Sequence, residues 1–241
     1  MRILTLTLDI PLHPGDIPAF RSCIAGIAGL EHEIFHNHDN AVEGAGCRHW
    51  GYPLVQYAVR RGQAAVVGLG AGADAIQQVL VPKLPGQLQF AGRSHWLTGL
   101  QMNEQRHRWE LLETPQEYGL FGWVALNPPN YAAWKAAGEP SGRKAVLERA
   151  LTGQLRVLAK AAGFTALAPI QGEIAQVDNQ KRVAWHGTHL VRFHALIRSA
   201  LSLPMGIGIG RSAAFGYGET MPAEVYQSIM SRFPKSAALE L

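Results

Sequence analysis

An α+β chain built from two units in tandem is what this sequence predicts, on three observations. Apolar residues alternate along some short stretches and recur at helical spacing along others, so strands and helices interleave. In the first half these elements fall in the order β-α-β-β-α-β, the split βαβ, ferredoxin-like (RRM-like) arrangement. At 241 residues the chain has room for two domains of about 100–130 residues, and its second half opens a new set of helices and strands. Two tandem ferredoxin-like βαββαβ domains are therefore expected, spanning residues 1–122 and 123–241.

Leu4, Leu6, Leu8 and Ile10 alternate with polar residues, which predicts a strand over 2–10 with one buried face. Ile17, Phe20, Cys23, Ile24, Ile27 and Leu30 then recur at helical spacing. Residues 31–51 are polar, histidine-rich and punctuated by glycine, so they read as a loop. Two apolar runs, Tyr52–Arg60 and Gln63–Leu69, flank Arg61-Gly62, a hairpin turn signal. A helix over Ala73–Val81 is expected to end at Pro82, and further strands lie within 86–113. Residues 114–130 look like the linker. Beyond them, Asn130–Ala137 is a short helix, and 141–162 a longer one with Val146, Ala150, Leu151, Leu155 and Leu158 on its apolar side. Strands are predicted at 169–177, 181–186 and 188–199. The halves share no sequence repeat, so the tandem reading rests on element order.

Composition narrows the function. Hydrophobic residues make up 47% and charged residues 17%, which excludes a disordered chain. No apolar run reaches the ~18 residues of a membrane span, and the N-terminus alternates like a strand rather than a signal peptide, so a cytoplasmic protein is expected. Cys23 and Cys47 alone cannot build a disulfide framework or a four-cysteine zinc site. A net charge of +4 and a pI near 9.2 favour an anionic partner.

The densest glycine cluster is Met205–Gly218, with five glycines in fourteen residues. Gly208, Gly210, Gly216 and Gly218 permit close backbone approach to a ligand, and Arg211 adds a fixed charge. Ile207, Ile209, Phe215 and Tyr217 interleave with them, unlike a plain linker. Basic residues also fall on coherent faces. Arg149, Arg156 and Lys160 form one stripe of the 141–162 helix, with Arg143 and Lys144 near its start. On the strand at 188–199, Val191, Phe193, Ala195 and Ile197 point one way and Arg192, His194 and Arg198 the other. These features together point to a phosphate-binding surface.

Chemistry points to the 31–51 loop. It contains Phe35-His-Asn-His-Asp39 and then Arg48-His-Trp-Gly-Tyr52. One histidine can accept a proton while a second, protonated, donates one, which is what cleavage of RNA by its own 2′-hydroxyl needs. Two other readings stand beside this one: a metal site using His36, His38, Asp39 and His49 or Cys47, and a solvated loop with incidental histidines. Val66–Ala73 fits the dinucleotide pattern G-x-G-x-x-A, yet residues 84–97 contain no Asp or Glu to hold a ribose, so it reads as a tight strand-to-helix turn. No G-x-S-x-G elbow occurs.

Across nearly its whole length the chain resembles the CRISPR-associated endoribonucleases that cut precursor CRISPR RNA within its repeats. The likeness is carried by Phe35-His-Asn-His38, Tyr52-Pro-Leu-Val-Gln-Tyr57, Trp123-Val-Ala-Leu-Asn127 with Tyr131, Gly206–Arg211 and Phe215–Gly218, in that order, and is to the subgroup with paired histidines. The resemblance implies tandem ferredoxin-like domains and metal-independent cleavage leaving a 2′,3′-cyclic phosphate or 3′-phosphate, with no cofactor. It implies that His36 and His38 are catalytic, that Tyr52 orients the scissile phosphate, that Arg48 stabilises its charge, and that the glycine-rich segment contacts RNA. Ala214 stands where the family usually has glycine. The expected partners are repeat RNA and a CRISPR interference complex. A homodimer is a candidate assembly, and no membrane is expected. The rival readings are a non-catalytic repeat-binding protein and a metal-dependent nuclease using the same histidines.

Overall fold

The computed structural model describes residues 1–36, 51–185 and 188–233. The chain divides into two compact units: Met1–His107 together with Ala214–Gly216, and Arg108–Ala213 together with Tyr217 onward.

The first unit runs β1 (Arg2–Pro11), α1 (Ile17–Ala28), β2 (Val55–Arg60), β3 (Gln63–Leu69), α2 (Ala71–Ala75), a π turn (Ile76–Leu80), α3 (Val81–Lys83), β4 (Gln87–Phe90), β5 (Arg93–Trp96) and β6 (Leu100–Arg106). Its main sheet is antiparallel in the order β2-β3-β1-β6. That is the ferredoxin-like order, with β4 and β5 inserted as a separate hairpin before the last strand. Alternation in β1 buries Leu4, Leu6, Leu8 and Ile10 against Phe20, Ile24 and Ala28 of α1 and Ile76 and Leu80 of the π turn. Each such side chain removed from water contributes about 1.5–3 kcal/mol. Phe20 sits at the centre, edge-on to Tyr57 at 6.0 Å and to Phe90 at 5.5 Å.

The Arg61-Gly62 signal is realised in full. Both residues take positive φ, +50° and +81°, which is the type I′ geometry that matches the twist of β2 and β3. Around Pro82 the structure differs from expectation: the helical stretch starts at Ala71, widens into a π turn and continues to Lys83. Proline has no N–H for the carbonyl four residues earlier, and the wider register just before it accommodates that loss. The G-x-G-x-x-A stretch is a close backbone approach, since a Cβ on Gly72 would lie 2.0 Å from the Leu54 carbonyl oxygen.

The second unit runs β7 (Leu111–Trp123), α4 (Pro128–Ala136), α5 (Pro140–Ala161), β8 (Gly172–Trp185), β9 (Thr188–Leu201), β10 (Glu219–Pro222) and α6 (Ala223–Met230). Its antiparallel sheet has the order β10-β7-β9-β8, which repeats the first unit's order of fourth, first, third, second strand. Where the first unit places its second helical stretch, between the third and fourth strands, this unit has the glycine-rich segment.

Three sequence expectations change here. Residues 111–123 form a strand rather than part of a linker, and the units divide at His107/Arg108. Thr114-Pro-Gln-Glu117 reads as a break, but the pairing of β7 with β9 shifts register between Leu111 and Gln116, so Pro115 falls in the irregular part of the ladder. The strands expected at 169–177 and 181–186 are one strand, because Asp178 falls in a register shift between Val177 and Asn179 rather than in a turn. Helix α6 lies beyond the elements the sequence predicts. It lays Tyr226 against Leu196 and Met221, with Phe121, Ile229 and Met230 around them.

Candidate functional site

The described part of the histidine loop ends at His36, and that residue is firmly held. A short 3-10 turn, Glu33–Phe35, leads into it, and the His36 N–H donates to the Glu33 carbonyl at 3.0 Å. The ring is buried, with Nε2 2.8 Å from the Leu30 carbonyl. A carbonyl can only accept, so Nε2 carries a proton and any proton exchange by this ring falls to Nδ1. Two further groups fix the same stretch of backbone. The Tyr57 hydroxyl donates to the Phe35 carbonyl at 2.8 Å, and the Arg21 guanidinium donates to the His36 carbonyl. Neither role is visible in the sequence, where Tyr57 falls within the apolar run Tyr52–Arg60 and Arg21 is not singled out.

Tyr52 is also buried, and its hydroxyl accepts from the Gln56 side-chain amide at 2.8 Å. Burial pushes the pKa of both Tyr52 and Tyr57 well above the usual tyrosine value, so both stay neutral hydrogen-bonding groups. His38 and Arg48, and the alternative metal ligands Asp39, Cys47 and His49, lie outside the described residues. Among the described residues no three His, Cys, Asp or Glu side chains converge on one point.

The glycine-rich segment is more folded than its composition suggests. Ile207 and Ile209 are fully buried. Several of its N–H groups are already committed: Gly206 to the Thr220 carbonyl at 2.8 Å, Ile209 to Gly218 at 2.9 Å, and Arg211 to Val124 at 3.0 Å. The Thr220 hydroxyl, not singled out from sequence, donates to the Pro204 carbonyl at 2.7 Å and accepts the Ile207 N–H at 3.2 Å. Gly218 has φ +71°, and a Cβ there would sit 1.9 Å from the Ile209 carbonyl oxygen. Gly208 bridges to Glu219, and Gly210 leads into Arg211. Glycine here serves close packing of the segment on itself. The Arg211 side chain remains exposed, and Ser212 next to it holds a left-handed φ of +60°, a strained conformation for a residue with a Cβ. Gly216 belongs to the first unit, beside the Tyr57 carbonyl.

The basic faces divide. On α5, Arg149, Arg156 and Lys160 are exposed along one side, and Arg156 Nε donates to the Ile170 carbonyl at 3.3 Å. Arg143 lies over the Trp134 ring at 5.2 Å, and Lys144 pairs with Glu148 at 3.9 Å. On β9 the apolar side is as expected, with Phe193, Ala195 and Ile197 fully buried. The other side is not an open basic stripe. Arg192 is half-buried, and Arg198 is paired with Glu117 of β7 through Nη2 at 2.8 Å and Nε at 2.9 Å. His194 is only 6% exposed, its ring 4.2 Å from Phe121 and 6.3 Å from Phe233, and Nδ1 accepts the Gly122 N–H at 3.3 Å. Burial, with Arg192 adding to it, pulls the His194 pKa down to about 4, so at neutral pH the ring carries no charge for a phosphate.

Comparison with known proteins identifies the arrangement. Residues 1–107 match the model of the Cas6b N-terminal domain, and residues 110–223 that of the Cas6b C-terminal domain. The chain belongs to the Cas6b family. A crystal structure of Cas6b superposes with a TM-score of 0.79 at 20% identity, over 92% of this chain and 100% of the other. A crystal structure of the CRISPR RNA processing endoribonuclease Cas6b gives 0.64 at 16% identity, over 92% and 99%. A RAMP protein binding different RNA substrates gives 0.54 at 12% identity, over 91% and 98%. These likenesses show the fold. Among curated proteins none matches. No helix among the described residues is long and apolar enough to cross a membrane.

Several residues that carried the family resemblance turn out to have structural work in this Cas6b chain. The Trp123 indole N–H donates to Gln154 Oε1 at 2.7 Å, and the Gln154 amide donates to the Ala125 carbonyl at 2.8 Å. Asn127 caps α4, its Oδ1 accepting the Asn130 N–H at 2.8 Å.

Proposed function

We propose that this chain is a metal-independent endoribonuclease that cuts CRISPR repeat RNA by attack of the RNA's own 2′-hydroxyl, with His36 and His38 as the acid–base pair. One histidine takes the 2′ proton as the O2′–P bond forms. The other gives a proton to O5′ as the P–O5′ bond breaks, leaving a 2′,3′-cyclic phosphate and a free 5′-hydroxyl. Membership of the Cas6b family supports the substrate class, as does the activity of one structural relative, a CRISPR RNA processing endoribonuclease. The observation that carries the mechanism is the fixed ring of His36, whose Nε2 is committed to Leu30 and whose exchangeable nitrogen is Nδ1. Each correctly positioned acid or base contributes about 10²–10⁴-fold in rate.

Arg48 serves as the donor to the phosphorus oxygens, and Tyr52, neutral and buried, supports the site through Gln56 rather than as an acid. Arg149, Arg156, Arg192 and Arg211 supply the contacts to the RNA backbone, while Arg198 is held by Glu117 and His194 by the core. The product passes to a CRISPR interference complex, and a homodimer is the candidate assembly. The test is cleavage of the repeat RNA of the same locus in excess EDTA by the wild type, His36→Ala and His38→Ala. The wild type should cut, and each variant should slow by ~10²-fold or more while retaining most RNA affinity. Cleavage abolished by EDTA, or variants cutting at the wild-type rate, would refute the mechanism.

A further inference from the structure

We infer that Arg21 of α1 is a positioning residue for RNA cleavage, acting through His36; the inference rests on the acid–base reading above. Arg21 follows Phe20, which is fully buried in the core, so its Cα is fixed by the best-packed part of the first unit. From there its guanidinium does two things at once. It donates to the His36 carbonyl and lies 5.1 Å from the centroid of the Phe215 ring, and Phe215 itself packs on the first unit's core. A planar cation with several donors can hydrogen-bond in its plane and cover an aromatic ring with its face, which lysine cannot do.

The position held is the one the chemistry needs. His36 is fixed through its N–H by Glu33, through its ring by Leu30, and through its carbonyl by Arg21. Of these three, only the Arg21 contact comes from outside the chain segment 30–36. Tyr57 holds the adjoining Phe35 carbonyl from β2, and Arg21 ties the His36 carbonyl to α1; loss of Arg21 removes that second link and lets Nδ1 shift relative to the helix. A misplacement of about 1 Å in a reacting group can cost on the order of 10²-fold in rate. Arg21 touches neither the reacting atoms nor, by this reading, the RNA, so its loss should act on the chemical step and leave binding in place.

The experiment is single-turnover cleavage of repeat RNA, with RNA affinity and thermal unfolding measured on the same samples, for Arg21→Ala, Arg21→Lys, His36→Ala and the double variant Arg21→Ala/His36→Ala. Arg21→Ala should slow cleavage about 10–100-fold with affinity within about threefold of wild type. Arg21→Lys, which keeps a donor for the carbonyl, should recover at least part of that loss. The double variant should be no slower than His36→Ala alone, because both changes disable one unit. The proposal is overturned if Arg21→Ala cuts like the wild type, if its rate and affinity fall together, or if its effect multiplies that of His36→Ala. Should His36→Ala itself cut normally, the acid–base reading has failed. A dead His36→Ala beside a fully active Arg21→Ala removes only the claim about Arg21.

Discussion

At the scale of single residues, His36 and His194, the two candidate site histidines among the described residues, behave in opposite ways. His36 is tied to Glu33, Leu30 and Arg21 at the start of the candidate loop, whereas His194 is a core residue. The sequence cannot separate them, because parity along β9 puts His194 beside Arg192 and Arg198 and says nothing of Phe121 and Phe233 closing over it. Its lowered pKa has a consequence for stability. The unfolded chain binds a proton at His194 near pH 6.5, and the folded protein resists protonation down to about pH 4. Stability from this residue is therefore complete above pH 6.5 and is lost as pH falls through the window to about 4, at a cost of about 3 kcal/mol. His194→Gln, which cannot titrate, should flatten the fall in thermal midpoint between pH 7 and pH 5. An unchanged pH dependence in that variant would show that His194 does not carry the effect.

At the scale of elements, what was legible followed local physics. The alternation of Leu4, Leu6, Leu8 and Ile10, and the Arg61-Gly62 turn, each depend on a few neighbouring residues, and both appear as predicted. What failed depends on partners distant in sequence. Pro115 and Asp178 look like chain breaks until pairing with β9 shows them to be irregularities within long strands. Helix α6 is short, and its reason to exist is the sheet face it covers. Tyr226 anchors it, buried to 1% exposure, with its hydroxyl donating to Asp178 at 2.6 Å. Tyr226→Phe keeps the ring but takes the donor from Asp178 Oδ2, leaving Gln176 on Oδ1, so urea unfolding should show a loss of about 1–3 kcal/mol. No change in the unfolding midpoint would mean that packing alone holds α6 in place.

At the scale of the whole molecule, two units with the same strand order carry different things between corresponding strands. The first unit's first helix supplies Arg21 and its second strand supplies Tyr57, and together they hold the start of the histidine loop. The second unit puts the glycine-rich segment where its counterpart has a helical stretch. Family membership was legible because motifs spread along the chain keep their order, even where the structure gives an individual motif residue, such as Trp123 or Gly218, a packing role. The proposed catalytic assignment has no sequence signal beyond a pair of histidines in a loop. The groups that position the first of them come from residues 15 and 21 places away in the chain and have no pattern of their own.

The central claim, that RNA is cut by its own 2′-hydroxyl without a metal, has a direct test. Repeat RNA carrying a single 2′-deoxynucleotide at the scissile position is compared with the all-ribose RNA in excess EDTA. The account predicts that the all-ribose strand is cut to a 2′,3′-cyclic phosphate end and that the deoxy strand is bound but stays intact. Cleavage of the deoxy strand at the same bond, or loss of all cleavage in the chelator, would contradict it.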